Sequence, residues 1–173
     1  MSRASVDVLV VGAGAAGMMC AIEAGKRGRR VRVIDHARAP GEKIRISGGG
    51  RCNFTNLGTS GANFLSENPR FALSALKRFT QHDFLKMVER HGIAWHEKEL
   101  GQLFCDDSSK QIVAMLLAEC ADAGVRIDTG TAVASVDAID GGGWRVHTTP
   151  SRVGGSRGEG SDGVVRAASL VGG

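Results

Sequence analysis

Three glycines near the start of the chain have the spacing of a turn that binds a pyrophosphate. They lie in the hexapeptide GAGAAG, which directly follows the apolar run Val8 to Val11. In this pattern the first glycine makes a tight turn, the second admits the phosphates, and the third lets the next helix pack against the sheet. Free N–H groups and the helix dipole favour an anion there. The expected phosphate-binding residues are Gly12, Ala13, Gly14, Ala15, Ala16 and Gly17.

An acidic residue some 20 positions further on selects the nucleotide. Asp35 closes a second apolar strand that begins at Val31. Its carboxylate can accept hydrogen bonds from the two ribose hydroxyls of an adenosine, which fits FAD or NAD. It argues against NADP, because a carboxylate and a 2′-phosphate about 4 Å apart repel by roughly 1 to 4 kcal/mol. We expect the neighbouring His36 to lie in the same pocket.

A second match to the same glycine pattern lacks the elements that would make it functional. Residues Gly158 to Gly163 reproduce G-x-G-x-x-G but follow a polar stretch instead of an apolar strand. The run after them, Val164 to Val171, is too short and too β-branched at its start to be the required helix. We interpret residues 150–163 as a flexible loop and Val164 to Val171 as a strand.

A second glycine-rich segment, KIRISGGGRCNFTN, follows Asp35. Its three consecutive glycines can form an anion-binding nest, to which Lys43 and Arg51 can add charge-assisted hydrogen bonds. Cys52 is the one candidate catalytic residue, because Arg51 could lower its thiol pKa, but a packed cysteine beside a cofactor is the favoured role. The expected cofactor-binding residues here are Lys43, Ser47, Gly48, Gly49, Gly50, Arg51, Cys52 and Asn53.

The elements that must position these motifs are those of an α/β fold. Residues 36–57 show no helical period, and residues 93–104 resemble a small β-hairpin. Capping boxes are predicted at Thr80 with Asp83 and at Ser108 with Gln111. The pattern predicts helices over 15–27, 68–79, 80–92 and 108–124, and strands over 8–11, 31–35, 125–127, 131–136, 144–148 and 164–171.

The composition limits the classes of protein and of site. The 173 residues suffice for one domain, and the net charge of +4 is modestly basic. The densest basic run, Lys26 to Arg30, is interpreted as a solvated helix end. The absence of tyrosine excludes a tyrosine-based short-chain dehydrogenase mechanism. No metal site is expected, because no CxxC spacing or paired histidine pattern accompanies Cys20, Cys52, Cys105 and Cys120.

The start of the chain and its hydropathy bear on localisation. A strand begins within a few residues of Met1, which leaves no room for a signal peptide. No apolar run approaches the roughly 18 residues needed to cross a bilayer. We therefore expect a cytoplasmic protein without a membrane partner.

The two glycine motifs resemble those of the HI0933-like bacterial flavoproteins, which bind two dinucleotides and are often described as NAD(P)/FAD-dependent or aminoacetone-oxidase-family oxidoreductases. The similarity lies in the opening GAGxAG, in K-I-x-I-S-G-G-G-R-C-N-x-T-N, and in Gly101 to Phe104, where Cys105 follows in place of the usual proline. Family members also have a strand that ends in A-T-G-G. This chain has Leu170 to Gly173 at that place, which keeps the two glycines but lacks the A-T pair.

This resemblance implies a Rossmann-like FAD-binding domain of the glutathione-reductase type, with a β meander and a helical excursion. Family members continue into a substrate domain, so we expect residues 1–173 to be an incomplete FAD-binding domain without that second part. By the resemblance, Gly12, Gly14, Gly17 and Asp35 hold the ADP half of FAD. Lys43 and residues 47–53 run past the pyrophosphate towards the isoalloxazine, and Val133 contacts the adenine through its backbone.

The function implied by the resemblance is that of an FAD-dependent oxidoreductase, which transfers a hydride through flavin N5 with NAD(P)H as a candidate donor. Its substrate is expected to be a small organic molecule, and nucleic acid is not expected as a partner. The activity of this chain by itself stays open, as do its oligomeric state and its catalytic acid or base. The alternative is a non-catalytic module that holds ADP or NAD. A third hypothesis, an RNA-associated flavoprotein, rests only on the basic run.

Overall fold

The chain divides into two units, and each is described separately. The first unit comprises residues 1–43 and 116–173, and the second comprises residues 44–115. The chain passes between them within the helices α2, Glu42–Ile46, and α5, Ser109–Asp122. The computed structural model describes residues 5–68, 70–153, 156–157 and 162–173.

A six-stranded sheet organises the first unit. Its strands are β1 (Ser5–Val11), β2 (Val31–Ile34), β6 (Arg126–Asp128), β7 (Thr131–Ala138), β8 (Trp144–Pro150) and β11 (Gly163–Gly172). They lie in the order β6-β2-β1-β11-β8-β7. The first four of that order run parallel, and β8 and β7 return as an antiparallel hairpin. This arrangement confirms the Rossmann-like α/β fold class predicted from the sequence.

The central strand β1 is apolar because its side chains pack in the core on both faces of the sheet. Leu9 packs with Val146 and Val165 on one face, whereas Val10 packs with Ala21 of helix α1 on the other. Successive side chains of a strand point to opposite faces, so a strand covered on both sides needs an uninterrupted apolar run.

Helix α1, Ala15–Lys26, ends where the sequence predicts. Gly28 follows its last turn with a positive φ of 73°. A glycine there makes the left-handed turn that closes a helix without the steric cost of a Cβ.

The predicted loop over residues 150–163 contains one short strand pair. Strand β9, Arg152–Val153, pairs antiparallel with β10, Ser156–Arg157. The second glycine pattern lies mostly outside the described residues, which resume at Asp162, so its flexibility stays a prediction.

A three-stranded antiparallel sheet lies in the second unit, where β5 (Gln102–Cys105) runs between β3 (Asn53–Asn56) and β4 (Trp95–Glu97). The β4–β5 hairpin was predicted, but the irregular character of residues 36–57 is a wrong prediction, since α2 and β3 form there. The five residues of α2 are too few to show a helical period. Strand β3 is defined by pairing with the distant β5, which a local pattern does not reveal.

Two further helices of the second unit form the predicted helical excursion. Helix α3, Leu73–Arg78, begins later than predicted, because the Asn68 side chain accepts a hydrogen bond from the Arg70 N–H and makes a local turn. Pro69, the other part of the predicted start, lies outside the described residues. Helix α4, Gln81–Arg90, begins at Thr80 with the predicted capping box to Asp83.

The capping box predicted at the start of α5 is wrong. Ser108 Oγ accepts a hydrogen bond from the Lys110 N–H at 3.2 Å. Gln111 Oε1, which would complete the box, has no hydrogen-bond partner among the described residues. In the described part of the chain no helix is long and apolar enough to cross a membrane.

Candidate functional site

The turn after β1 places three different constraints on its three glycines. Gly12 has φ +109°, and a Cβ there would lie 3.0 Å from the Gly173 carbonyl oxygen. A Cβ at Gly17 would lie 1.9 Å from the carbonyl oxygen of Gly12. A Cβ at Gly14 would meet nothing within 4 Å. Gly12 and Gly17 are therefore required by the turn and its packing, whereas the space at Gly14 is open to a ligand.

The N-terminus of α1 retains its capacity to bind an anion. No side chain caps this end at Gly14, and no acidic residue lies in the first turn. The first N–H groups of a helix have no intrahelical partner, and they carry the positive end of the helix dipole. Ala15 and Ala16 present these groups beside the open space at Gly14.

Asp35 connects the glycine turn to the end of β2. Its Oδ2 accepts a hydrogen bond from the Ala13 N–H at 2.6 Å, and its Oδ1 accepts one from the Ala37 N–H at 2.8 Å. The Asp35 side chain is 12% exposed. A carboxylate has about four lone-pair positions, so it can still accept bonds from ribose hydroxyls. The sequence predicted only the ribose contact and missed this positioning role.

We expect Asp35→Asn to lower the free energy of unfolding by about 1–3 kcal/mol, since the amide presents one acceptor oxygen and an NH₂ group. One of the two backbone N–H groups then loses its acceptor. Urea unfolding followed by circular dichroism measures the change. Asp137→Asn, at an exposed carboxylate on β7, is the matched control and should alter stability by less than about 0.5 kcal/mol. Equal effects of the two substitutions would contradict the positioning role.

The start of β7 lies next to the end of β2. The Thr131 N–H donates to the Asp35 carbonyl at 2.8 Å, and Ser151 Oγ donates to the His36 carbonyl at 2.5 Å. The His36 side chain itself is exposed. Val133 follows two residues further along β7, with its side chain half-buried against the Leu9 cluster. The structure thus brings Asp35, His36 and the start of β7 together, and adenine contact by Val133 stays a prediction.

The end of β11 packs against the glycine turn that follows β1, a contact not predicted from the sequence. The Gly173 N–H donates to the Val11 carbonyl at 2.7 Å. A Cβ at Gly173 would lie 2.8 Å from the Gly17 Cα. As part of the family motif, Gly172 and Gly173 indicate only an incomplete match, but two glycines at the end of an apolar strand are themselves a signal of close backbone approach.

In the second unit, residues Ser47–Gly50 form a 3₁₀ turn with left-handed backbone at its centre. A Cβ at Gly48 would lie 2.6 Å from the Phe104 ring, so this glycine is required by packing. At Gly49 and Gly50 a Cβ would meet nothing within 4 Å. Their N–H groups belong to the kind of turn that accepts anions. Of the predicted neighbours, Lys43, Arg51 and Asn53 are exposed.

Cys52 is buried behind this turn. Burial raises the pKa of its thiol, and the hydrogen bond with Ser47 offsets only part of that effect. A nucleophilic cysteine needs a lowered pKa, so the environment supports the packed role and not activation by Arg51. The backbone N–H of Cys105 donates to the Arg51 carbonyl at 3.0 Å, a bond that the usual family proline could not make.

The side-chain amide of Asn56 forms its hydrogen bonds within the protein. Asn56 Nδ2 donates to the Leu100 carbonyl at 2.8 Å, and its Oδ1 accepts from the Gly58 N–H at 2.7 Å. This amide therefore holds the loops of the second unit together.

We expect the buried thiols to resist alkylation in the folded protein. Burial raises the pKa of Cys105 and of Cys120 to about 11, from the ordinary value of 9.0. At pH 8 the thiolate fraction falls from about 10% to about 0.1%, and only the thiolate reacts. Iodoacetamide followed by peptide mass spectrometry should label the half-buried Cys20 first. Labelling of Cys105 or Cys120 at the rate of Cys20 without unfolding would contradict this prediction.

Two relatives with high sequence identity have the same name. The chain is 58% identical over 130 residues to the ribosomal RNA dihydrouridine synthase of Escherichia coli (strain K12), a match over 75% of this chain and 32% of that protein. It is 49% identical over 139 residues to the protein of that name in Haemophilus influenzae, over 80% of this chain and 34% of the relative. The chain thus spans about a third of the length of these relatives.

Solved structures share the fold at low sequence identity. The 3-ketosteroid-delta4-(5alpha)-dehydrogenase from Rhodococcus jostii RHA1 superposes with a TM-score of 0.65 and 16% identity, covering 97% of this chain and 45% of that one. At this identity the likeness concerns the fold alone, which supports many functions.

The relatives correct two expectations. The predicted function, an FAD-dependent oxidoreductase or else a non-catalytic nucleotide module, is wrong as a statement of the activity, because the two relatives are named as synthases of a modified nucleoside in ribosomal RNA, which neither alternative named. The expectation of a small-molecule substrate without a nucleic-acid partner is wrong for the same reason. The glycine motifs report on the cofactor pocket and carry no information about the second reactant.

The profile of the HI0933-like protein Rossmann domain matches residues 6–157, which is most of the chain. Its two glycine motifs lie within that match, and the fold around them is Rossmann-like. The protein therefore belongs to the HI0933-like family.

Proposed function

We propose that this chain is the FAD-binding portion of an enzyme that forms dihydrouridine in ribosomal RNA. The observation that carries the proposal is the 58% identity over 130 residues to the Escherichia coli protein of that name. Because the chain spans about a third of that relative, the proposal concerns one portion of the enzyme and its cofactor.

The first unit fits the ADP half of FAD. The open space at Gly14 lies beside the uncapped N-terminus of α1, as a pyrophosphate requires. Asp35 lies at the end of β2 with lone pairs left for the ribose hydroxyls. In the second unit, the open backbone at Gly49 and Gly50 suits a polar or anionic group.

Dihydrouridine differs from uridine by two hydrogens across the C5–C6 bond, so the reaction requires a hydride and a proton. FAD, once reduced and bound, supplies the hydride. The residues of this chain would hold the cofactor: N–H groups at the α1 N-terminus would donate to its phosphates, and Asp35 would accept hydrogen bonds from its ribose. NAD(P)H as the source of reducing equivalents remains a prediction.

Flavin binding is the first test. The purified chain is mixed with FAD and passed through a gel-filtration column, and the protein peak is examined for visible flavin absorbance. We expect FAD to be retained and to be displaced by excess ADP, because the first unit recognises the ADP half. A colourless protein peak from correctly folded protein would contradict the proposal.

A chimaera tests the RNA-modifying activity. This chain replaces the matching third of the Escherichia coli relative, in a strain that lacks the native enzyme. Dihydrouridine in ribosomal RNA is then measured by nuclease digestion and mass spectrometry, with the Gly14→Val chimaera as the control. We expect dihydrouridine only with the unmodified chimaera. A folded, flavin-loaded chimaera that forms no dihydrouridine would overturn the assignment.

A further inference from the structure

Three of the six phenylalanines of the chain are exposed within one short segment of the second unit. Phe64, Phe71 and Phe79 are 44%, 82% and 37% exposed, and Leu65 beside them is 95% exposed. Single exposed apolar residues are ordinary, but several large ones grouped together mark an interaction surface.

Two sets of contacts hold parts of this segment together. A Cβ at Gly61 would lie 2.3 Å from the Leu73 side chain, so the residues before Phe64 pack directly on α3. The Gln81 side chain, at the start of α4, donates to the Leu57 and Thr59 carbonyls at 3.0 and 3.1 Å. The residues just before Phe64 therefore contact both α3 and the start of α4.

Three exposed cations lie between the phenylalanines in the sequence. Arg70, Lys77 and Arg78 have no acidic partner among the residues that the structure describes. We name the surface formed by Phe64, Leu65, Arg70, Phe71, Lys77, Arg78 and Phe79 the Phe/Arg patch.

The basic run singled out in the sequence, Lys26 to Arg30, differs from this patch. Lys26 pairs with Glu119, Arg27 with Glu23 and Arg30 with Asp7. These pairs neutralise most of the run, whereas the positive charge of the Phe/Arg patch remains available to a polyanion.

We propose that the Phe/Arg patch docks single-stranded RNA, with the phenylalanines stacking on bases and the three cations contacting phosphates. Aromatic rings interleaved with unpaired cations are the combination by which proteins bind unpaired nucleotides. A surface covered by another polypeptide segment would need the apolar residues but not three unpaired cations. The inference rests on the proposed function and states where its RNA substrate is held.

The test is fluorescence anisotropy with a fluorescein-labelled oligouridylate of about 12 nucleotides, within the range of single-strand binding sites. Phe71→Ala should weaken binding by roughly 5- to 100-fold, since stacking of one base is lost, and should leave the salt dependence unchanged. The double variant Lys77→Gln, Arg78→Gln should reduce the slope of log affinity against log salt by about 1.4.

Two controls outside the patch match these variants. Trp144→Ala removes an exposed aromatic residue from β8, and Arg29→Gln removes an exposed cation from the basic run. Neither should change the affinity for the oligouridylate or its salt dependence. Flavin retention by all four variants should equal that of the parent, because none touches the glycine turn or Asp35.

The outcomes separate the patch from the proposed function. If the unsubstituted protein binds the RNA and the patch variants bind it equally well, the inference that the Phe/Arg patch docks RNA is overturned, while the proposed function stands. The patch is also overturned if the parent fails to bind at about 50 mM salt, where phosphate contacts are strong. If Phe71→Ala lowers the melting temperature of the chimaera without altering its RNA affinity, another segment of polypeptide covers the patch. Failure to retain flavin contradicts the proposed function alone.

Discussion

Gly17→Ala is expected to destabilise the protein by at least about 3 kcal/mol, at or beyond the upper end of the usual cost of overpacking. The added Cβ would lie 1.9 Å from the Gly12 carbonyl oxygen and 3.1 Å from its carbonyl carbon, and both atoms belong to backbone that cannot rotate away. Helix α1 would have to move off the sheet or the turn would have to open. Either change separates Val10 from Ala21 in the core.

The sign of this effect is diagnostic. Glycine to alanine in a helix interior normally stabilises by about 1 kcal/mol, so a large loss can come only from the close approach of helix and turn. Gly14→Ala is the matched control in the same turn, because its Cβ would meet nothing within 4 Å. Urea unfolding of both variants provides the measurement. A Gly17→Ala protein as stable as the parent would contradict the packing described here.

Gly14→Val is expected to abolish flavin retention while leaving the fold intact. The backbone at Gly14, with φ −81° and ψ −175°, is extended, which valine adopts readily. A Cβ at Gly14 would meet no protein atom within 4 Å, so we expect stability to change by no more than about 1 kcal/mol, the size of a capping effect. The branched side chain would instead occupy the space beside the α1 N-terminus where the phosphates are expected.

Equilibrium dialysis against FAD, together with thermal unfolding without flavin, separates the two consequences of Gly14→Val. We expect FAD affinity to fall by more than about 100-fold, the equivalent of roughly 3 kcal/mol. Gly28→Ala offers a control at a glycine outside the site, where any loss arises from the left-handed φ of 73° and should affect stability only. Equal flavin content in Gly14→Val and the parent would defeat the assignment of this turn.

These two variants distinguish a glycine that packing requires from a glycine that only a bound ligand requires, a difference that the sequence motif does not show. Gly17 is required because backbone from two elements meets there, and Gly14 is required only if a ligand approaches. The structure adds Gly173 to the first class, since its backbone packs on Gly12 and Gly17. The end of strand β11 therefore supports the glycine turn, although the two are far apart in the sequence.

The basic run from Lys26 to Arg30 illustrates the limit of charge counting in a sequence. Lys26 to Arg30 is the densest basic run, yet three of its cations are paired with acids, among them Asp7 and Glu119 from distant parts of the chain. The unpaired cations Arg70, Lys77 and Arg78 are spread through a segment whose linear pattern indicated only a helix. Ion pairing is a tertiary property, so the free positive surface could not be located beforehand.

Part of the fold and of the site follows from local sequence. The apolar run of β1, the glycines of the turn, the capping box at Thr80 and the helix-ending Gly28 each act through neighbouring residues or through backbone conformation. Such features can be predicted from the local sequence. The parallel pairing of β1 with β2 follows as well, because a strand, helix and strand of this spacing form a βαβ unit.

The rest depends on contacts between residues far apart in the chain. Strand β3 exists because β5 pairs with it, Asp35 holds the turn because its carboxylate accepts a hydrogen bond from the Ala13 N–H at 2.6 Å, and the pKa of the Cys52 thiol is raised because it is buried. The sequence by itself determined the family, the Rossmann-like fold and the residues that suit a dinucleotide. Only the tertiary structure decided which of those residues are committed to packing and which remain open to a ligand, because steric access and hydrogen-bond partners arise only when distant segments meet.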